Sequence, residues 1–255
     1  MQANGAPALG SRAHPESATT NRCGRAAPLA AAFAATALLL ACGIPRDPEG
    51  TLQRVKSGRM RVGIIERPPW ATLEGGKPAG VEVDLVEGFA RSLDAKIDWF
   101  PGSEAELFTA LEKQELDLVI GGFTDDDPWA QKVTFTQPYA VIEVVVAAPP
   151  GRAPPSDLSG LQVAARSGTE VPRLVEEAGG IAVRVPDLSK WNGLVAGEKW
   201  EVRALGLVPG SLVLDESRPA MAVSLGENAW LVRLERHLSE EAPFVDELLN
   251  RYAGP

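Results

Sequence analysis

A chain of 255 residues, 45% of them hydrophobic, has room for one large domain or two small ones around a full core. Its net charge of −9 argues against nucleic acid or anionic lipid as a partner, because both repel an acidic body at long range. Two cysteines and two histidines leave little material for a thiolate metal centre or for histidine chemistry.

At the amino end, Arg12, Arg22 and Arg25 precede an uncharged stretch over residues 27–42, APLAAAFAATALLLAC. A basic region followed by an apolar one reads as a secretory signal, and it is too short for a bilayer span. Residues 39–43, LLACG, resemble the lipobox of bacterial lipoproteins, in which the signal is cut before the cysteine and the sulfur carries diacylglycerol. The resemblance implies a signal peptide over 1–41, lipidation of Cys42, and an exported chain anchored to the membrane on the periplasmic or extracytoplasmic face of the envelope. Cys23 would leave with the signal, so no disulfide is expected. Arg12, Arg22, Arg25 and Glu16 would leave too, making the remainder more acidic than the whole. Residues 42–50, with Pro45 and Pro48, read as a tether.

Beyond the tether, residues 60–65 (MRVGII) predict a first strand, broken by Pro68-Pro69-Trp70, and Gly75-Gly76 marks a hairpin-like turn. Leu85, Val86, Phe89, Ala90 and Leu93 recur at helical spacing, and 96–100 predict a strand. Ser103 with Glu106 makes a capping box before a helix containing Leu107, Ala110 and Leu111. Residues 116–120 predict a buried strand ending in Gly121-Gly122, where the backbone can approach a ligand closely because no Cβ intervenes. An acidic loop and an amphipathic turn then lead to Phe135 and Pro138-Tyr139. After a proline-rich break at 149–155, strands are expected at 161–164, 181–185, 194–196, 211–214 and 221–223, with a helix capped by Thr169 and two amphipathic helices at the carboxyl end. Alternating strands and helices specify α/β architecture with mostly parallel sheets.

No nucleophile elbow, phosphate loop or metal spacing is present, so no catalytic residue, metal or cofactor is expected. His237 reads as a solvated helix residue. Asp125, Asp126 and Asp127 are consecutive, so they cannot all face one ion, and they read as a solvated acidic turn.

Residues 116–139, LDLVIGGFTDDDPWAQKVTFTQPY, resemble a signature segment of the bacterial extracellular solute-binding proteins of the polar amino-acid class (family 3), matching at Asp117, Gly122, Thr124, Val133, Phe135, Thr136 and Pro138-Tyr139. MRVGIIERPPW, GVEVDLVEGFARSL and LSGLQVAARSGTE resemble further segments of that family. The resemblance implies a type II periplasmic binding protein fold of two lobes joined by a two-strand hinge. Lobe 1 would be 51–143 with 218–255, and lobe 2 would be 144–217, shortened where a helix is missing between Val185 and Gly193. It also implies a ligand site formed by Trp70, Glu82, Gly122, Thr124 and Trp129 of lobe 1 and by Thr169, Glu170 and Glu198 of lobe 2.

Two departures bear on the ligand. Trp129 stands where the family has the arginine that grips the ligand carboxylate, and Glu170 brings a carboxylate to helix amides that would otherwise bind an anion. Glu198 falls on the family's aspartate that pairs with the ligand's amino group. Carboxylates and tryptophans, with Trp191 and Trp200 as further candidates, suit a cationic, amine-bearing or aromatic ligand through ion pairing and cation–π contacts. The expected protein is a non-enzymatic, monomeric, lipid-anchored receptor that delivers a small polar solute to the permease and ATPase of an ABC importer. A ligand-sensing or degenerate envelope lipoprotein without a transport partner uses the same residues. So does an enzyme built on this fold, although no placed acid/base pair supports one.

Overall fold

The computed structural model describes residues 47–124 and 127–252; the signal segment, Cys42, and Asp125 and Asp126 of the acidic loop lie outside the described residues. The chain runs α1 (Thr51–Val55), β1 (Arg59–Ile64), a hairpin of β2 (Thr72–Glu74) and β3 (Lys77–Ala79), α2 (Val81–Ser92), β4 (Lys96–Pro101), α3 (Glu104–Glu112) and β5 (Leu118–Thr124). A 3-10 turn (Pro128–Gln131) leads to β6 (Val133–Phe135) and β7 (Ile142–Ala148). Then come β8 (Gln162–Arg166), α4 (Val171–Glu177), β9 (Ile181–Val185), a 3-10 turn (Leu188–Lys190), β10 (Leu194–Glu198), α5 (Lys199–Ala204) and β11 (Val208–Ser217). The chain closes with β12 (Pro219–Ser224), α6 (Asn228–Glu241), a 3-10 turn (Ala242–Phe244) and α7 (Val245–Tyr252).

Two five-stranded sheets result, in the orders β4-β1-β5-β12-β6 and β11-β7-β10-β8-β9. The chain passes from the first sheet (lobe 1) to the second (lobe 2) between β6 and β7. It returns with only Arg218 between β11 and β12. The sheets are mixed rather than mostly parallel. β1 is parallel to β4 and β5, and β8 to β9 and β10, but β12 runs antiparallel to β5 and β6 and β7 antiparallel to β10 and β11. The antiparallel strands are those that carry the chain between sheets. Strand direction depends on which strands meet in space, and local alternation of strands and helices does not encode it.

Local sequence accounts for the elements that hold the cleft. In α3 the capping box forms as expected, with Ser103 N donating to Glu106 Oε2 at 3.0 Å. In α2, Val81, Leu85, Val86, Phe89 and Ala90 form one apolar face. It packs with Met60, Val62, Leu118, Trp230 and Leu249 into the main core of lobe 1. A second core on the other face of that sheet gathers Phe108, Phe123 and Val133. In lobe 2 the alternation of β7 sends Val146 and Ala148 into one small core and Val145 and Ala147 into another. Both faces of this sheet are therefore covered, and α5 and the 3-10 turn at Leu188–Lys190 occupy the side facing lobe 1's loops.

Two further features differ from expectation or were not foreseen. His237 is buried at 5% exposure, with Nε2 3.0 Å from the Leu85 carbonyl and its ring 5.4 Å from that of Phe89, so it is a core residue and not a solvated one. At the amino end, Asp47 Oδ1 accepts from Trp230 N (2.9 Å) and Oδ2 from Leu52 N (3.0 Å), while buried Glu227 accepts from Glu49 N (3.0 Å) and Thr51 N (3.1 Å). Each carboxylate satisfies orphan amides at helix starts, so the beginnings of α1 and α6 clasp one another.

Candidate ligand-binding site

A cleft of about 760 Å³ lies between the sheets. Lobe 1 contributes the loop Arg67-Pro68-Pro69-Trp70 and Tyr252 at the end of α7. Lobe 2 contributes Arg166 at the end of β8, Thr169, Asp187 to Ser189, and Glu198, Trp200 and Glu201 where β10 passes into α5.

In the lobe 1 wall the polar groups satisfy one another. Trp70 is 8% exposed, meets Tyr139 edge-on with ring centroids 6.2 Å apart, and rests on Gly122. Gly122 has φ +63°, and a Cβ there would lie 2.2 Å from Trp70 Cδ1, so only glycine fits. Beneath this contact Glu82 is completely buried; its Oε2 accepts from Gly121 N (2.7 Å) and Gly122 N (2.9 Å), and its Oε1 from the Tyr139 hydroxyl (2.6 Å). Burial pushes the Glu82 carboxyl above its ordinary range although these three donors pull it back, and it raises Tyr139 well above the usual phenol. Arg67 Nη1 donates to the Gly122 carbonyl (3.3 Å), its Nη2 reaches Glu104 (3.5 Å), and its guanidinium lies over the Phe123 ring at 5.3 Å.

The lobe 2 wall is chemically more open. Arg166 pairs with Glu201, and the Thr169 hydroxyl donates to the Arg166 carbonyl at 2.9 Å. Glu198 is half-buried and accepts the Trp200 indole N–H; among the described residues no lysine or arginine pairs with it. Burial raises its carboxyl, the indole N–H lowers it, and the neighbouring Glu201 charge raises it further, leaving it above the ordinary range. A desolvated carboxylate with a single donor has lone pairs left for a cation.

Of the residues expected at the site, Trp70, Thr169 and Glu198 line this one cleft. Glu82 and Gly122 lie behind Trp70, where the Gly122 carbonyl faces Arg67. Thr124 sits at the end of β5, paired with Pro219 of β12. Trp129 stacks flat on Phe108, with centroids 5.0 Å apart, and donates Nε1 to Glu104 (3.2 Å). Glu170 is exposed and pairs with Arg173 at 2.8 Å; it makes no side-chain cap on α4, so the expected neutralisation of those amides by its carboxylate does not form. Trp191 packs on a lobe 2 core instead of the cleft. Arg67, Arg166, Glu201 and Tyr252 were not foreseen. Arg67 directly precedes the Pro-Pro-Trp loop and Arg166 closes a strand two residues before Gly168, and those positions were the available signals. Among the described residues, no cluster of three or more histidine, cysteine or carboxylate side chains is arranged to hold a metal, and no helix is long and apolar enough to cross a membrane.

Comparison with known proteins agrees with this architecture. The probable histidine-binding protein of Neisseria gonorrhoeae is 33% identical over 133 residues, which cover 49% of this chain and 47% of that protein. Membrane-bound lytic murein transglycosylase F of Vibrio campbellii is 29% identical over 131 residues, 51% of this chain and 24% of that protein. The chain thus spans about a quarter to a half of the length of these curated relatives. The structure of the L-cystine solute receptor of Neisseria gonorrhoeae in the unliganded open conformation matches with a TM-score of 0.67 at 17% identity, covering 80% of this chain and 96% of that one, and shares the fold. Residues 60–241 match the family profile of bacterial extracellular solute-binding proteins, family 3, and the chain belongs to that family.

Proposed function

We propose that this family member is a non-catalytic, lipid-anchored receptor that captures a small amine-bearing or otherwise cationic solute between its lobes and delivers it to an ABC importer. The observation that carries the reading is Glu198, a half-buried cleft carboxylate with one indole donor and no cationic partner among the described residues. The two arginines of the cleft each already face a carboxylate, Arg166 that of Glu201 and Arg67 that of Glu104. With Asp187 paired to Lys190, the acid left over is Glu198, which accepts the Trp200 indole N–H and shares the cleft with Trp70, a lining that suits a cation through ion pairing and aromatic contact. Membership of a solute-binding family supports the capture role, and the lipobox-like segment 39–43 around Cys42 supports the anchor.

Calorimetric titration of the protein with putrescine, tetramethylammonium and the common amino acids tests the ligand class. Binding of the amines is the expected result. Tight binding of neutral or acidic amino acids, with none of the amines, overturns it. A second reading is ligand sensing without an importer, supported only in that the chain also partly matches a membrane-bound enzyme, which is not a transport component. Permease and ATPase genes beside this one are expected for the first reading and not for the second.

A further inference from the structure

Residues 198–203, EKWEVR, touch several parts of the molecule at once. Glu198 faces the cleft, Lys199 pairs with Glu143 near the start of β7, and Glu201 pairs with Arg166. Arg203 lies 3.7 Å from Asp246 on α7 of lobe 1, against which α5 packs. Within this segment Trp200 alone joins the cleft carboxylate to the core of the opposite lobe. Its Nε1–H donates to Glu198, while its ring packs against the main core of lobe 1. There it shares the lining of a small cavity of about 180 Å³ with Ile142 and Leu249.

We propose that Trp200 is a positioning residue that ties the Glu198 carboxylate to lobe 1, so that the grip on a cation and the contact between lobes strengthen one another. The inference rests on Glu198 being the ligand-facing acid. A carboxylate that accepts one N–H keeps further lone pairs, so the indole and a ligand act on the same group without competing. A hinge movement that draws the indole out of its seat beside Ile142 and Leu249 takes the N–H with it. Glu198 then faces Glu201 with no donor of its own, and its charged form becomes harder to hold. With the indole seated, the carboxylate is held charged and aimed into the cleft. By linkage, a cation bound there favours the seated indole to the same extent that the seated indole favours the cation. The other charged groups lining the cleft, Arg67, Arg166, Asp187 and Glu201, belong to the loop before Trp70, to β8, to the turn after β9 and to α5, and none of them joins both lobes through a partly buried ring as Trp200 does.

The test is a pH titration followed by NMR on the full chain without ligand, with 13C on glutamate carboxyls, 15N on indoles and labelled leucine methyls. In the wild type the Glu198 carboxyl, the Trp200 indole N–H and the Leu249 methyl are expected to move with one shared midpoint. Trp200→Phe keeps a ring in the seat and removes the donor. The Glu198 midpoint then shifts to higher pH, and the Leu249 methyl loses that transition. Glu198→Gln reads the same link from the cleft end and abolishes the transition at both Trp200 and Leu249. An unmoved Glu198 midpoint in Trp200→Phe, or a Leu249 methyl that still follows it, overturns the proposal. Because no ligand is present, failure of the amine titration and failure of this linkage are separate results.

Discussion

Glu82 and Glu198 are both carboxylates taken out of water, one in each lobe, and burial raises both above the ordinary carboxylate range. They differ in what surrounds them. Three donors converge on Glu82, which is sealed behind Trp70, and its lone pairs are spent on the backbone of Gly121 and Gly122 and on Tyr139. Glu198 has one donor, opens into the cleft, and stands beside another acid. A buried acid with its partners supplied is scaffold, whereas one with capacity left over is a candidate receptor. The lobe 1 wall is therefore a shape and the lobe 2 wall a charge.

Four changes break or sharpen this contrast. The largest effect is expected for Glu82→Ala, which strands two backbone N–H groups and a phenol hydroxyl in the core. At roughly 1–3 kcal/mol for each orphaned group, the loss is on the order of 4 kcal/mol in a denaturant melt. A loss below about 1 kcal/mol would show that Glu82 is not the support described. Gly122→Ala comes next, because the new methyl meets Trp70 and the residue sits at positive φ. Overpacking and backbone strain together cost about 3 kcal/mol, and Trp70 must move, so amine binding falls with stability.

Glu198→Gln is expected to behave in the opposite way. Its raised carboxyl means that the folded state holds the proton longer than the unfolded chain. The stability associated with the protonated form is present below the unfolded value and is lost as pH rises through the folded one. At neutral pH the neutral amide removes that cost, so the variant is as stable as the wild type or slightly more so, while cation binding drops on the order of 100-fold by calorimetry. In the wild type, binding of a permanently charged quaternary amine weakens on acidification from a higher pH than an ordinary glutamate would set. The smallest effect is expected for Trp129→Phe, which keeps the ring stack on Phe108 and loses one bond to partly exposed Glu104. It costs about 1 kcal/mol and leaves amine affinity unchanged. A lost affinity would move the ligand site toward Trp129.

Elements whose signals are local were legible in the sequence: the Ser103–Glu106 capping box, the turn at Gly75-Gly76 and the amphipathic face of α2. What escaped depends on distant partners. β6 is three residues long and exists as a strand because β12 returns beside it, and β7, which is not among the expected strands, forms because β10 and β11 lie on either side of it. His237 occupies a polar position on an amphipathic helix, and only the arrival of Leu85 and Phe89 buries it. The same holds at the site. The family resemblance pointed to Trp70, Thr169 and Glu198, which line the cleft, but it pointed equally to Trp129 and Glu170, whose own partners are Phe108 and Arg173. Arg67 and Arg166 were marked only by position, one before the Pro-Pro-Trp loop and the other at the end of a strand.

The clasp that Asp47 and Glu227 make between the starts of α1 and α6 has a mechanical consequence. A pull entering the chain at Asp47 is taken up by the starts of α1 and α6, on the lobe 1 side and away from the strands that cross between sheets. A load applied there is shared between the first helix and the long helix near the carboxyl end before it reaches the strands that cross between the two sheets.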